Sequence, residues 1–388
     1  GSGRVGGDGV MAKLGEVCKV SPSTKNIERQ GAWLLNLDMV EQQTGRVIEY
    51  KYVGEDDLNG SIIQFDTENV LYSKLRPNLN KVVLPQKDGF STSELLPLRP
   101  DAGVLNRDYL AAFLRSDSFV TWAVSKTAGA KMPRLGTKDL MNAEIPVPNI
   151  EQQKTIAEKF KKLEQLISLR KQQLEKLDEL VKAQFVEMFG DEQAFNKEPL
   201  SKNVEEMFIG PFGSSLKNEN FVSKENGYCM VYEQKHAIRK TMDVETRYID
   251  KTKYEELKRF SIHGGDIIVS CRGTIGETYI VPLNAPLGIM HPSIMKIRVK
   301  DSIYNRVFFD FLLQEKLKQH EAQANGSGVK MAVTASALGK EEFIVPSIPL
   351  QNQFAAFVER VDQQKQTVQR SLEKLELMKK ALMQEYFG

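Results

Sequence analysis

Two long stretches of the chain place apolar residues at helical spacing. Residues 151–189 contain neither glycine nor proline. Within them Phe160, Leu163, Ile167, Leu174, Leu177, Val181 and Met188 recur at alternating steps of three and four, with Arg170 and Gln184 filling the two remaining seam positions. This spacing predicts one helix with about four heptads of coiled-coil seam. A second stretch repeats it with Val358, Val361, Val368, Leu372, Leu375, Leu382 and Tyr386, and sets Lys365 and Lys379 where the first has Ile167 and Val181. Pro148 and Pro346 stand just upstream, and Gly190 and Gly388 at the ends, as helix starts and stops do. A helix of about 38 residues is roughly 57 Å long. Alone it would expose its apolar stripe. The two seams are therefore expected to pair with each other, antiparallel, inside one chain. The seam lysines and Arg170 disfavour a regular parallel zipper.

Elsewhere the apolar runs are short and punctuated. Val70-Leu71-Tyr72, Val82-Val83-Leu84, Ile267-Ile268-Val269 and Tyr279-Ile280-Val281 read as strands, with Pro85 and Gly264-Gly265 as breaks. Helical stretches are expected from Asp108 to Val124 and from Asn305 to Gln323. The pattern predicts two α+β domains with twisted, mostly antiparallel strands.

The chain also repeats itself. Shifted by 198 positions, residues 145–190 lie on 343–388 without a gap, and 15 of the 46 positions are identical. Among them are Gln153 with Gln351, Leu174-Glu175-Lys176-Leu177 with Leu372-Glu373-Lys374-Leu375, and Phe189-Gly190 with Phe387-Gly388. Upstream, Asn106-Arg107 matches Asn305-Arg306, and Gly129, Lys131 and Met132 match Gly328, Lys330 and Met331. Asn69-Val70-Leu71-Tyr72-Ser73 resembles Asp266-Ile267-Ile268-Val269-Ser270, with Arg76 and Arg272 following. Two divergent copies of one unit are thus expected: an arm at 1–10, a domain at 11–144, a helix at 145–190, a domain at 191–342 and a helix at 343–388.

Composition narrows the function. The 388 residues carry 53 basic and 51 acidic side chains, a net charge of +2. The first domain holds 17 of each sign and the second 21 of each, so any nucleic-acid contact must come from local patches. Three scattered cysteines, Cys18, Cys229 and Cys271, argue against a disulfide framework or a cysteine zinc site. No apolar run approaches the roughly 18 residues a membrane helix needs, and no signal peptide is visible. A cytoplasmic protein without membrane partners is expected. Gly1-Ser2-Gly3-Arg4-Val5-Gly6 matches the letters of a dinucleotide-binding loop but has no strand before it, so it is set aside as a tag or flexible arm.

No catalytic constellation emerges. A phosphate-binding loop, a His-Glu-x-x-His pair, a nucleophile elbow and the Asn/Asp-Pro-Pro-Tyr/Phe of amino-methyltransferases are all missing from the sequence. The four histidines fall in the second half and read as surface or structural. What remains is a set of polar, basic loops. In the first copy it comprises Lys74, Arg76, Asn78, Asn80 and Lys81 after a strand, with Lys131 and Arg134. In the second it comprises Ser270, Arg272 and Thr274, with Lys217, Lys235, Arg239 and Lys330. Arginine suits guanine O6 and N7, asparagine suits adenine N6 and N7, and lysine suits phosphate. These fourteen residues are the candidate DNA-binding set.

The run from Ile145-Pro146-Val147-Pro148-Asn149-Ile150-Glu151-Gln152-Gln153-Lys154 to Phe189-Gly190, its second copy, and Leu71-Tyr72-Ser73-Lys74-Leu75-Arg76-Pro77-Asn78 resemble the specificity subunits of type I restriction–modification systems. The second copy departs at its helix start, with Pro349-Leu350-Gln351-Asn352. The resemblance implies that each domain reads half of a bipartite target in double-stranded DNA and that the helices set the unread spacer. It implies two methyltransferase subunits as partners, which restriction subunits can join. It also implies a non-catalytic chain: S-adenosylmethionine, ATP and magnesium would belong to the partners. The competing expectations are a protein-interaction scaffold and a nuclease using acidic residues such as Asp266 and Glu277.

Overall fold

A computed structural model describes residues 10–58, 61–129, 131–272, 274–327 and 334–388. It divides into two compact units. One runs to Leu174 and takes in Val368–Gly388; the other is Glu175–Thr367. The division falls inside both long helices, Ile150–Phe189 and Ile348–Phe387, so each unit contains part of both.

The first unit opens on β1 (Val10–Lys13), paired antiparallel with β10 (Glu144–Val147). Between them lie β2 (Cys18–Val20), β3 (Ala32–Leu35), β4 (Lys51–Val53), β5 (Ile62–Phe65), β6 (Val70–Ser73), β7 (Val82–Val83), β8 (Gly89–Thr92) and β9 (Leu95–Pro100). One sheet has the order β2-β9-β6-β7 and the other β4-β3-β8-β5. Every residue of β6 is buried, because the strand has a core on each face. Val70 and Tyr72 join the cluster of Tyr109, Phe113 and Phe160, whereas Leu71 joins Trp33, Phe65 and Leu95. This is the two-residue period of a strand covered on both sides.

The second unit repeats the plan. Its strands are β11 (Lys197–Pro199), β12 (Val204–Ile209), β13 (Cys229–Tyr232), β14 (Tyr248–Ile249), β15 (Ser261–Ile262), β16 (Ile267–Ser270), β17 (Thr278–Ile280), β18 (Gly288–Met290), β19 (Ile294–Val299) and β20 (Glu342–Ile344). The pair is β11-β20 and the sheets are β12-β19-β16-β17 and β14-β13-β18-β15, each strand in the place of its first-unit counterpart. The α+β reading holds, and the strands are mostly antiparallel, as expected. Each unit contains a parallel pair, β3 with β8 and β13 with β18.

Other boundaries shift slightly. Val10, placed in the arm from sequence, begins β1, while residues 1–9 lie outside the described residues. Ile145–Val147, placed with the long helix, belong to β10. The stretch Asp108–Val124 is two helices, Arg107–Leu114 and Asp117–Ser125, because Ser116 restarts it as a cap on the Phe119 amide. Its second-unit counterpart is one helix, Arg306–Ser327.

The long helices pair antiparallel within each unit. In the first, Phe160 stacks on Phe387, and Lys379 Nζ lies 2.8 Å from Glu164, which also receives Arg115 at 3.2 Å. Burial raises the Glu164 carboxyl, and the two cations outweigh it and hold it below its ordinary value. In the second, Phe185 and Phe189 pack on Phe354, and Lys365 Nζ lies 2.6 Å from Asp178. The seam lysines therefore each meet a carboxylate across the pair. One residue ties each helix start to its own domain. Gln153, fully buried, accepts from the Asn106 amide at 2.8 Å and donates to the carbonyls of Val104 (2.9 Å) and Pro148 (2.8 Å). Gln351 repeats this with the Asn305 amide, Ile303 and Pro346 at 2.8–2.9 Å.

Candidate nucleic-acid interface

In the first unit the chain leaves β6 at Ser73 and runs between two neighbouring segments. The Lys74 amide donates to Glu94 O (3.0 Å), Lys74 O accepts from the Leu135 amide (2.9 Å), and the Arg76 amide donates to Pro133 O (2.8 Å). Arg76 and Asn80 both adopt φ of +49°, a left-handed conformation uncommon outside glycine. The fold thus spends a strained backbone on the turn that carries Arg76. The Arg76 side chain is exposed and makes no hydrogen bond or ion pair among the described residues. Lys74 is half-buried, and Lys131 is exposed in the adjoining segment. Arg134 lies in that segment too, its guanidinium on both oxygens of Glu94 at 3.0–3.3 Å. Asn78 is exposed, with its carbonyl taken by Gln43.

In the second unit three strand ends meet one turn, His291–Ile294. The Gly210 amide, after β12, donates to Ile294 O; the Cys271 amide, after β16, donates to Ser293 O; and the His291 amide donates to Tyr232 O, at the end of β13. Each of these bonds is 2.9 Å. Arg272 and Thr274 are exposed on the loop after β16. Lys235 reaches Glu233 at 2.9 Å, and Arg247 pairs with the same carboxylate while its guanidinium lies 4.0 Å over the Phe221 ring. Burial raises the Glu233 carboxyl, but Arg247 and Lys235 bring it below the ordinary value. Burial lowers His291, whose Nδ1 accepts from the Ser293 amide, so its proton sits on Nε2. Arg239 ends a short helix, exposed and unpaired among the described residues. Lys217 is exposed on the segment after β12, with Glu219 at 3.9 Å. Lys330 lies outside the described residues.

Three residues leave the candidate set. Asn80 is buried and its amide nitrogen donates to Arg115 O at 3.0 Å. Lys81 donates to Leu37 O at 2.5 Å, and burial lowers its pKa. Ser270 is fully buried and its hydroxyl accepts from the Glu277 amide at 3.0 Å. All three hold the turns in shape. Glu94, Glu233 and Arg247 escaped the sequence reading, since Glu94 meets Arg134 and Glu233 meets Arg247 only once the chain is folded. Asp266, the acid of the nuclease expectation, is the counter-ion of Arg298 at 2.7 and 2.8 Å. Asp66 and Arg99 form the matching pair in the first unit at 2.7 Å. Asp266 and Glu277 do not join a group able to hold a metal; among the described residues no three His, Cys, Asp or Glu side chains do. No described helix is long and apolar enough to cross a membrane.

The tandem plan matches known proteins. The chain is 26% identical over 124 residues to the type I restriction enzyme EcoDI specificity subunit of Escherichia coli, a match covering 32% of this chain and 27% of that subunit. Its fold is similar to that of a chain in a structural study of complex assembly and conformational transition of the type I R-M system, with TM-score 0.60, 15% identity and 98% of both chains covered. It is also similar to the S subunit of the type I restriction–modification system of M. genitalium, with TM-score 0.59 and 16% identity over 98% of this chain and 96% of that one. The profile of the type I restriction modification DNA specificity domain matches twice, at residues 10–179 and 203–377. The chain therefore belongs to the type I restriction–modification DNA specificity family and carries two copies of its domain in tandem.

Proposed function

We propose that this chain selects the DNA target of a type I methyltransferase complex, each unit reading one half of a bipartite double-stranded site. The observation that carries the proposal is the repeated placement of an exposed arginine without a partner among the described residues, Arg76 and Arg272, on the turn after the buried central strand of each unit. Such a guanidinium can donate two bonds to one guanine edge. Lys131, Arg239 and Lys217, all exposed, suit phosphates, and Lys235, Arg247 and Arg134 are held by carboxylates that fix their direction. The near-neutral balance of each unit leaves much of the non-specific attraction to partner subunits. The chain itself is proposed to be non-catalytic and cytoplasmic. S-adenosylmethionine is then held by two methyltransferase subunits that dock on the long helices, and ATP and magnesium by any restriction subunits.

The test is a methylome. The chain is expressed with its methyltransferase in a host lacking such systems, and N6-methyladenine is mapped. A new motif of two short blocks around a fixed unread spacer is expected. No new motif from a soluble, assembled complex sinks the proposal and puts the interaction scaffold first.

A further inference from the structure

Among the described large apolar side chains, Phe212 is the most exposed, at 86%. It lies in Gly210-Pro211-Phe212-Gly213, directly after β12, between a buried proline and a glycine. Its backbone is firmly placed. The Gly210 amide holds Ile294 O at 2.9 Å, and the Phe212 carbonyl accepts from the Ser215 amide at 2.8 Å. A side chain at Gly210 would come within 2.3 Å of His291 O, so the segment lies flat against the His291–Ile294 turn. Yet the Phe212 ring meets no other ring or cation among the described residues. A phenyl group held in water on a fixed turn is unfavourable by its apolar area. The same turn receives the Cys271 amide, which places the Arg272 loop beside it, and Lys235 and Arg247 cluster on Glu233 next to Tyr232, the residue that holds His291. An exposed ring on the turn that also anchors the Arg272 loop fits a polyanion with a stacked apolar interior.

We infer that Phe212 is an apolar wedge that enters one base step of the half-site read by the second unit and partly unstacks it, a device suited to aromatic and aliphatic tips. The inference rests on the DNA reading proposed above. Among the described residues the first unit has no equivalent after β2. There β2 is followed by Ser21-Pro22-Ser23-Thr24-Lys25, and Ser23 is buried on Asp66 at 2.7 Å. Only one of the two half-sites should therefore be wedged open by this chain.

The test uses the full chain assembled with its methyltransferase and duplexes carrying the methylome-defined target, with 2-aminopurine at successive positions of either half-site. Apart from the methylated adenines, which the methyltransferase itself turns out of the stack, a fluorescence rise on binding is expected at one step of one half-site and nowhere in the other. F212A should abolish the rise and weaken target binding about tenfold, with non-specific duplex affinity and melting temperature unchanged. F212L, still a wedge, should keep most of the signal. Wild-type binding and fluorescence in F212A overturn the inference, as does a selective wild-type complex with no such rise in either half-site. A wild-type complex that prefers no duplex removes the DNA reading itself, and the wedge with it.

Discussion

Arg76 and Arg272 differ in how their backbones are held, and the difference bears on their replacement. Arg76 sits at positive φ with its amide on Pro133, so R76A removes the guanidinium but keeps a residue ill-suited to the left-handed turn. R76G relieves that conformation and isolates the side-chain effect. Either change should relax one half-site only, by about 1–3 kcal/mol if the contact is bidentate to guanine. R272A should relax the other. Binding to duplexes with single substitutions in each half-site measures this, and an equal loss across all sequences would assign the arginine to phosphate. Another residue sets a pH dependence. Burial raises the Asp310 carboxyl, whose Oδ2 accepts from Gln314 at 2.7 Å while its Oδ1 is closed off with no hydrogen-bond partner among the described residues. A raised acid binds its proton more tightly folded than unfolded. Its contribution to stability is full below the unfolded pKa, about 4, and is lost as pH rises through the folded value. D310N, neutral throughout, should melt higher than wild type at pH 7.5, with the gap closing near pH 4. A gap that is constant with pH would assign the effect to packing.

At the scale of elements, the two buried glutamines have matching duties. Each satisfies a backbone amide and two carbonyls where domain, strand pair and long helix meet. Q153L should cost about 2–3 kcal/mol by leaving the Asn106 amide unpaired. Hydrogen exchange should show the loss in the first unit, and Q351L should move it to the second; loss spread evenly over both would refute separate anchoring. The glutamines also show what sequence can reveal. Their repetition at a shift of 198 marked them, although the pattern gave no partner. The long helices were legible because no glycine or proline interrupts a steady seam. β6 and β16 were legible as apolar runs, being covered on both faces. The parallel pairs β3-β8 and β13-β18 were not, since parallel pairing leaves no hairpin turn to read. For the same reason of distance, Arg134 looked free until Glu94 was placed beside it. Asn80, Lys81 and Ser270 looked like loop residues because inward and outward side chains of a turn have the same letters.

For the whole molecule, the continuity of the two helices makes their length a controllable variable. One heptad added to each, after Leu174 and before Val368, preserves the seam and adds about 10.5 Å to each helix. The methylome motif should keep both half-sequences and gain about one to three base pairs of spacer. An unchanged spacer in an active complex would separate the helices from spacing.

The helix ends impose an order in time as well. The Glu175–Thr367 unit is a single run of chain, so everything it needs has been made once that run leaves the ribosome. The other unit is not. Met383 and Phe387 belong to the same core as Tyr109 and Phe113, and Ser118 bonds the Phe387 carbonyl across 269 positions. Its strands are thus synthesised first yet must wait, with an apolar surface open, until the second unit and the last turns of the second helix have been made. The half translated earliest is the later to fold and the more exposed to chaperones and proteases. Loss of residues 383–388, none of which lies in a candidate base-reading loop, should impair the first half-site and spare the second.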